Sequence, residues 1–223
     1  AAVTTEAEVI IVSGLAEANH FSLATEIFNL PGYSCFGDTA KITAFVADRY
    51  GNPVPTGTPV YFTTEAGAMA MDNTSMDASF TTGLGQATAT QITQAPLPWP
   101  APTSTPDQAL NTILAWTPGE EAFVDLNGDG IYNMGEPFDD IGEPFIDANQ
   151  NGLYEIGERY VDLNKNGSYT GPNGSWNGNT FVWDDINLLW SSSSAVSLRV
   201  TPDSGCPNFV VPDGGSCQVL IEA

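Results

Sequence analysis

Positive charge is scarce in this chain: five lysines and arginines stand against 27 aspartates and glutamates, a net charge of -22 over 223 residues. Lys41, Arg49, Arg159, Lys165 and Arg199 are scattered along the sequence. No basic patch is available to hold phosphate, which excludes nucleotides and nucleic acid as partners and disfavours anionic lipid. Histidine is nearly absent. His20, the only one, leaves no zinc set, no histidine-based triad and no HExxH helix, and as a lone polar residue at a strand edge it reads as structural. No apolar run approaches the roughly 18 residues of a spanning helix. The best run, Val9-Ile10-Ile11-Val12, is strand-sized, so membrane insertion is not expected. There is no Gly-x-Ser-x-Gly elbow, and Cys35 has no basic activator nearby in sequence. The expectation is a protein that is not an enzyme.

Cysteine is sparse as well. Cys206 and Cys217 bracket a Pro/Gly-rich stretch that reads as a loop between two strands. A disulfide there is expected, worth about 3 kcal/mol in the chain-entropy model, and it leaves Cys35 as a free thiol or an intermolecular bridge. The chain begins Ala1-Ala2-Val3-Thr4 without a methionine or signal peptide, as chains do after secretory cleavage or trimming; export is the expectation.

Helical periodicity is missing, and short alternating runs rich in Val, Ile, Thr and Phe recur between turn residues. The sequence therefore predicts an all-β fold. Its strands are expected at 8–13, 21–28, 40–47, 59–64, 79–82, 86–93, 111–117, 195–202 and 218–223, a set that suits a sandwich. Residues 48–57 form a turn dense in Gly, Pro, Asp and Asn. The stretch 95–106 holds five prolines and reads as an extended connection.

The run Asp38-Thr39-Ala40-Lys41-Ile42-Thr43-Ala44-Phe45-Val46-Ala47-Asp48-Arg49-Tyr50-Gly51-Asn52-Pro53-Val54-Pro55-Thr56-Gly57-Thr58-Pro59-Val60-Tyr61-Phe62, followed by Gly85-Gln86-Ala87-Thr88-Ala89-Thr90, resembles a bacterial immunoglobulin-like domain of the invasin/intimin type over roughly residues 20–118. That resemblance implies an immunoglobulin-like β-sandwich of the kind found in surface adhesins, stalks and secreted multidomain proteins. It ends after residue 118.

A dense acidic block follows. Between Glu120 and Asp162 there are 12 carboxylates against one arginine, a density that costs free energy in a compact fold unless cations neutralise it. Asp125, Asn127, Asp129, Gly130, Ile131, Asn133 and Glu136 occupy positions 1, 3, 5, 6, 7, 9 and 12 of the calcium loop of an EF-hand. Calcium is a hard ion that takes six to eight oxygens, and alternate residues of a tight loop turn theirs inward while position 12 closes the shell with both carboxylate oxygens. Asp147, Asn149, Asn151, Gly152, Leu153, Glu155 and Glu158 repeat the pattern. A third copy keeps Asp162, Asn164, Asn166, Gly167 and Ser168 but has Asn173 at position 12, so its closing carboxylate must come from elsewhere, with Asp184 and Asp185 as candidates. Asp139, Asp140 and Glu143 either complete neighbouring sites or face water. The cofactor read from this spacing is calcium, at two sites with a third incomplete.

Pro137 and Pro144 follow the loops, and Phe-Val-Asp or Tyr-Val-Asp phrases precede loops, so the flanking helices of a sensor are missing. The ions therefore read as structural, in an insert that does not order itself without them. Affinities of about 10⁻⁴ to 10⁻³ M suffice in extracellular modules, which places the chain outside the cell, at the bacterial surface.

The expected organisation is an N-terminal strand or extension at 1–19, offered as a donor strand; a sandwich at 20–118; a calcium-binding insert at 119–185; and closing strands at 186–223. The expected function is a calcium-stabilised structural subunit of a surface fibre or adhesin stalk. Its partners are copies of itself joined head to tail, through strand 8–13 in one reading, with Cys35 as a possible covalent lock. The rival readings are a carbohydrate-binding module recognising surface glycans with exposed tryptophans, for which Trp99, Trp176 and Trp183 are open and Trp116 and Trp190 read as core, and a dockerin-like partner-binding module.

Overall fold

The computed structural model describes residues 14–72, 78–98 and 109–192, with the backbone of 199–202 and 219–222. The elements are β1 (Ala16–Glu17), a 3-10 turn (Ala18–His20), β2 (Phe21–Thr25), β3 (Asn29–Leu30), β4 (Thr39–Val46), β5 (Pro59–Thr64), β6 (Ala68–Met71), β7 (Ser79–Phe80), β8 (Gln86–Ile92), β9 (Leu110–Glu120), β10 (Thr180–Trp190), β11 (Arg199–Pro202) and β12 (Val219–Glu222). The fold is essentially all-β. One sheet runs β3-β10-β9-β5-β7 with β1 alongside β9, a second runs β2-β4-β8-β6, and β11 pairs with β12.

Period-two patterning builds both layers. In β4 the side chains of Ala40, Ile42, Ala44 and Val46 are buried while their neighbours point outward, and β5 and β8 alternate the same way. Ile42, Ala44, Ala87 and Ala89 of the four-stranded sheet meet Val60, Phe62, Ile113, Ala115, Val182, Leu188 and Trp190 of the other in one core. Burying each larger aliphatic side chain contributes about 1.5–3 kcal/mol. The turn after β4 forms as its composition predicts: Asp48 Oδ1 accepts from the N–H groups of Tyr50 and Asn52, both at 2.9 Å, and Gly51 takes φ 76°.

β9 departs from simple alternation. Asn111, Thr112, Ile113, Leu114 and Ala115 are all buried, because Leu114 lies on the outer face under residues of the acidic segment, lining a cleft with Ile146, Arg159, Tyr160 and Val161. β9 and β10 run antiparallel from Gly119↔Thr180 to Leu110↔Leu189, so the acidic segment, residues 121–179, leaves and rejoins the sheet at neighbouring positions.

Most expected strands appear, shifted by a residue or a few; the 8–13 strand lies outside the described residues. β6 was not anticipated. Nor was the greater part of β10, whose Asp184 and Asp185 interrupt its apolar run. The structure makes it the central partner of β9, so the acidic excursion ends before Thr180. Cys206 and Cys217, with their expected disulfide, and Trp99 lie outside the described residues. Cys35 is a free, half-buried thiol.

Candidate metal centre

The first loop folds around its acids. Asp125 accepts from Gly128 N through Oδ1 at 2.6 Å and from Gly130 N through Oδ2 at 2.7 Å. Asn127 Oδ1 takes Asp129 N, and Asp129 Oδ1 takes Ile131 N at 2.9 Å. That N–H and the Asn133 amide hold the Asp129 carboxyl below its usual range. Glu136 closes the loop, with Oε1 on Leu126 N at 2.9 Å, Oε2 on Asn133 N at 2.7 Å, and its own N–H on Asn133 O. Positions 1 to 7, 9 and 12 are thus wired together by the protein's own groups.

The second loop repeats the wiring. Asp147 takes the N–H groups of Asn151 and Gly152, and the Oδ1 atoms of Asn149 and Asn151 take those of Asn151 and Leu153. Glu158 takes Ala148 N at 3.0 Å and Glu155 N at 2.9 Å. The amides of Asn149 and Asn151 bind the Glu155 carboxylate.

In the third loop Asp162 holds Asn166 N and Gly167 N, Asn164 Oδ1 takes Asn166 N, and Asn166 Oδ1 takes Ser168 N. Neither Asn173 nor Asp184 nor Asp185 closes it. Glu143 does, from upstream: Oε1 accepts from Leu163 N and Asn164 N at 2.9 and 3.2 Å, Oε2 from Thr170 N at 2.9 Å, and Glu143 N donates to Thr170 O. These are the atoms at positions 2 and 9 that Glu136 and Glu158 hold in their own loops. Its phrase Gly142-Glu143-Pro144-Phe145 repeats Gly135-Glu136-Pro137-Phe138, the signal that marks it as a closing glutamate.

A fourth set, not foreseen, is assembled from three separate segments. Asp140 accepts from Asn173 N and Gly174 N, and Asn173 Oδ1 accepts from Ser175 N at 2.8 Å. Glu121 takes Ile141 N at 3.1 Å and Asn177 N at 2.7 Å and donates its own N–H to Asn177 O. Asp140 therefore stands at position 1, Asn173 at 5, Gly174 at 6, Asn177 at 9 and Glu121 at 12. Even the Asn133 amide's bond to Ile131 O is matched by Asn177 to Ser175 O. Two sequence signals pointed here. Asn173-Gly174-Ser175-Trp176 repeats Asp129-Gly130-Ile131-Tyr132, Asn151-Gly152-Leu153-Tyr154 and Asn166-Gly167-Ser168-Tyr169, and Glu121 precedes Phe123 as Glu143 precedes Phe145.

Aromatic residues at position 8 pair the sets. Tyr132 stacks on Trp176 with centroids 4.9 Å apart, and Tyr154 on Tyr169 at 3.9 Å. Phe123 and Phe138 meet the first pair edge-on, Phe145 and Tyr160 the second. The excursion thus has two small aromatic cores. Trp176 Nε1 donates to Glu121 O and Trp183 Nε1 to Gly142 O, so both indoles serve the internal packing. Trp190 is fully buried and Trp116 stacks on Tyr61.

Two of the five cationic residues fasten the excursion to the sheets. Arg49 donates to Glu120 Oε1 at 3.0 and 2.6 Å and to Gly130 O at 2.6 Å, with its guanidinium 4.3 Å above the Phe123 ring. Arg159 donates to the carbonyls of Thr64, at 3.2 Å, and Glu65. Asp139 accepts from the Asn19 amide, and His20 pairs with Glu17 at 2.7 Å. Asp184 takes Leu23 N, and burial raises its carboxyl. Burial, then the charges of Asp184 and Asp147, push Asp185 up to about 6.

Glu121, Glu136 and Glu143 are buried carboxylates, a costly arrangement unless the charge is satisfied. Among the described residues, no group of three or more His, Cys, Asp or Glu draws together tightly enough to hold a metal. The donor sets instead mix carboxylates with amide and main-chain oxygens, the mixture that suits calcium rather than zinc. The fourth set has glycine at position 3, Gly142, where the other three have asparagine, and so offers one side-chain oxygen fewer. No protein-family model matches the chain, and no curated protein or solved structure does either.

Proposed function

We infer that this protein is a calcium-stabilised extracellular structural module of bacteria, an immunoglobulin-like sandwich carrying a calcium-binding excursion. The observation that carries the reading is the recurrence of one bonding scheme in four sets, two of them closed by glutamates distant in sequence, Glu143 and Glu121. The third set is thereby complete, and the count of expected ions rises from two or three to four. Rigid loops without helices to open favour a load-bearing role over signalling. Calcium loops without sensor helices are suited to the millimolar calcium that fills extracellular modules, which supports a working environment outside the cell.

Such a module serves as the repeating subunit of a fibre, joined to copies of itself, or as a segment of an adhesin stalk. Its negative surface disfavours nucleic acid and anionic membranes. The engagement of Trp176 and Trp183 inside the excursion removes two of the indoles that favoured a glycan-binding reading.

The test is calorimetric titration with calcium of the chelator-treated full chain, paired with negative-stain microscopy and sedimentation in both conditions. Four bound ions with calcium-dependent filaments support the reading in full. Absence of binding refutes the calcium sites, and monodisperse monomers throughout refute the fibre.

A further inference from the structure

Three of the four sets place asparagine followed by glycine at positions 5 and 6: Asn151-Gly152, Asn166-Gly167 and Asn173-Gly174, where the first loop has Asp129-Gly130. Such pairs cyclise readily, because glycine has no Cβ to bar its main-chain nitrogen from the preceding side-chain amide. We propose that Asn151, Asn166 and Asn173 are hydrolytic modification sites, locked by the folded loops and opened when the loops lose order. The glycine nitrogen bonds to asparagine Cγ, the Cγ–Nδ2 bond breaks, and ammonia leaves with the glycine's amide proton, giving a succinimide. Water then adds to either ring carbonyl and opens the ring to aspartate or isoaspartate.

The geometry blocks both reacting groups. Gly152 N donates to Asp147 Oδ2 at 2.6 Å, Gly167 N to Asp162 Oδ2 at 2.8 Å, and Gly174 N to Asp140 Oδ2. A carboxylate on that N–H retains the proton and opposes negative charge on the nitrogen, which the attack requires. On the other side, the Oδ1 atoms of the three asparagines are each fixed at 2.8 Å by the N–H of Leu153, Ser168 or Ser175. The amide cannot turn its carbon toward glycine without losing that bond. All three asparagines are solvent-exposed, so water is at hand and only conformational freedom is withheld.

The two products act oppositely. Aspartate reproduces the residue already present as Asp129 and adds an anionic oxygen to the set. Isoaspartate adds a main-chain carbon between positions 5 and 6 and destroys the register of the donors.

The lock stands on the hydrogen bonds; only its dependence on calcium rests on the reading above. The full chain is held at mildly alkaline pH in calcium, in chelator, and in chelator with urea. Amide-to-acid conversion at each asparagine is followed by peptide mass mapping, and isoaspartate by its enzymatic methylation. Retention of the three amides in calcium with several-fold faster conversion in urea is the expected result. Equal rates in calcium and in urea, or no conversion in urea, overturn the proposal. The chelator arm reports on the metal: rates rising toward those in urea support calcium as the fastener, and rates unchanged from calcium tell against it while leaving the lock intact.

Discussion

Glu143 accepts the N–H of Leu163, 20 residues further along the chain, at 2.9 Å, and so closes a loop whose own twelfth position carries no acid. Replacing it with glutamine is expected to lower calcium affinity at the third site by on the order of 10- to 100-fold or more, leaving the first and second sites unchanged. N173D, in contrast, is expected to leave the third site alone and strengthen the fourth. Site-resolved titration by NMR separates the two, and an N173D effect confined to the third loop would refute the assignment.

Chelation is expected to lower the thermal midpoint of the whole chain. Each filled site adds about 2.7 kcal/mol at a hundredfold excess of ion over its Kd. The midpoint should therefore climb steadily with calcium in differential scanning calorimetry. A midpoint indifferent to calcium contradicts four structural ions.

Arg49, paired with Glu120 at the end of β9, ties the excursion to the sandwich through Gly130 and Phe123. R49M keeps some of the stem's packing on Phe123 but removes every one of those bonds, and it leaves Glu120 without its ion pair. A loss of about 1–3 kcal/mol in urea denaturation is expected, with faster amide exchange at Gly130 and Ile131 than elsewhere.

Asp185 provides the pH test. Its folded value of about 6 lies above the ordinary 3.8, so the folded chain binds more protons than the unfolded one between those values. Stability from this group is greatest below about 4 and is lost as pH rises through 6. In chelator, D185N is expected to raise the thermal midpoint at neutral pH and to change it little at pH 4. A variant less stable than the parent at neutral pH would give Asp185 a bonding role.

In the core, Ile42 is fully buried between the sheets. I42A is expected to cost about 2–5 kcal/mol without altering calcium stoichiometry, a control that separates sandwich from excursion.

Much of this architecture was legible in advance. β4, β5 and β8 show through their alternation because one face of each is buried against the other sheet. The contiguous loops at 125–136 and 147–158 show through spacing, since all their donors are local. What escaped was non-local. β10 carries Asp184 and Asp185, whose tolerance depends on Leu23 and on the cover given by the excursion, neither visible from a window of sequence. Glu121, Asp140 and Asn177 converge only after the chain has gone around the three other loops, so no fixed spacing announces them. The repeated Asn-Gly-x-aromatic and Glu-Pro-Phe phrases were the available clues.

The adjacency of Gly119 and Thr180 across the β9–β10 ladder has a mechanical consequence. A pull applied where the chain enters β9 and leaves β10 meets the ladder first, at Leu110 and Leu189, and must unzip it rung by rung before any tension reaches residues 121–179. The excursion is therefore stored contour length, paid out last. A fibre built from such subunits would stay taut under ordinary load and lengthen, subunit by subunit, only when a hairpin gives way.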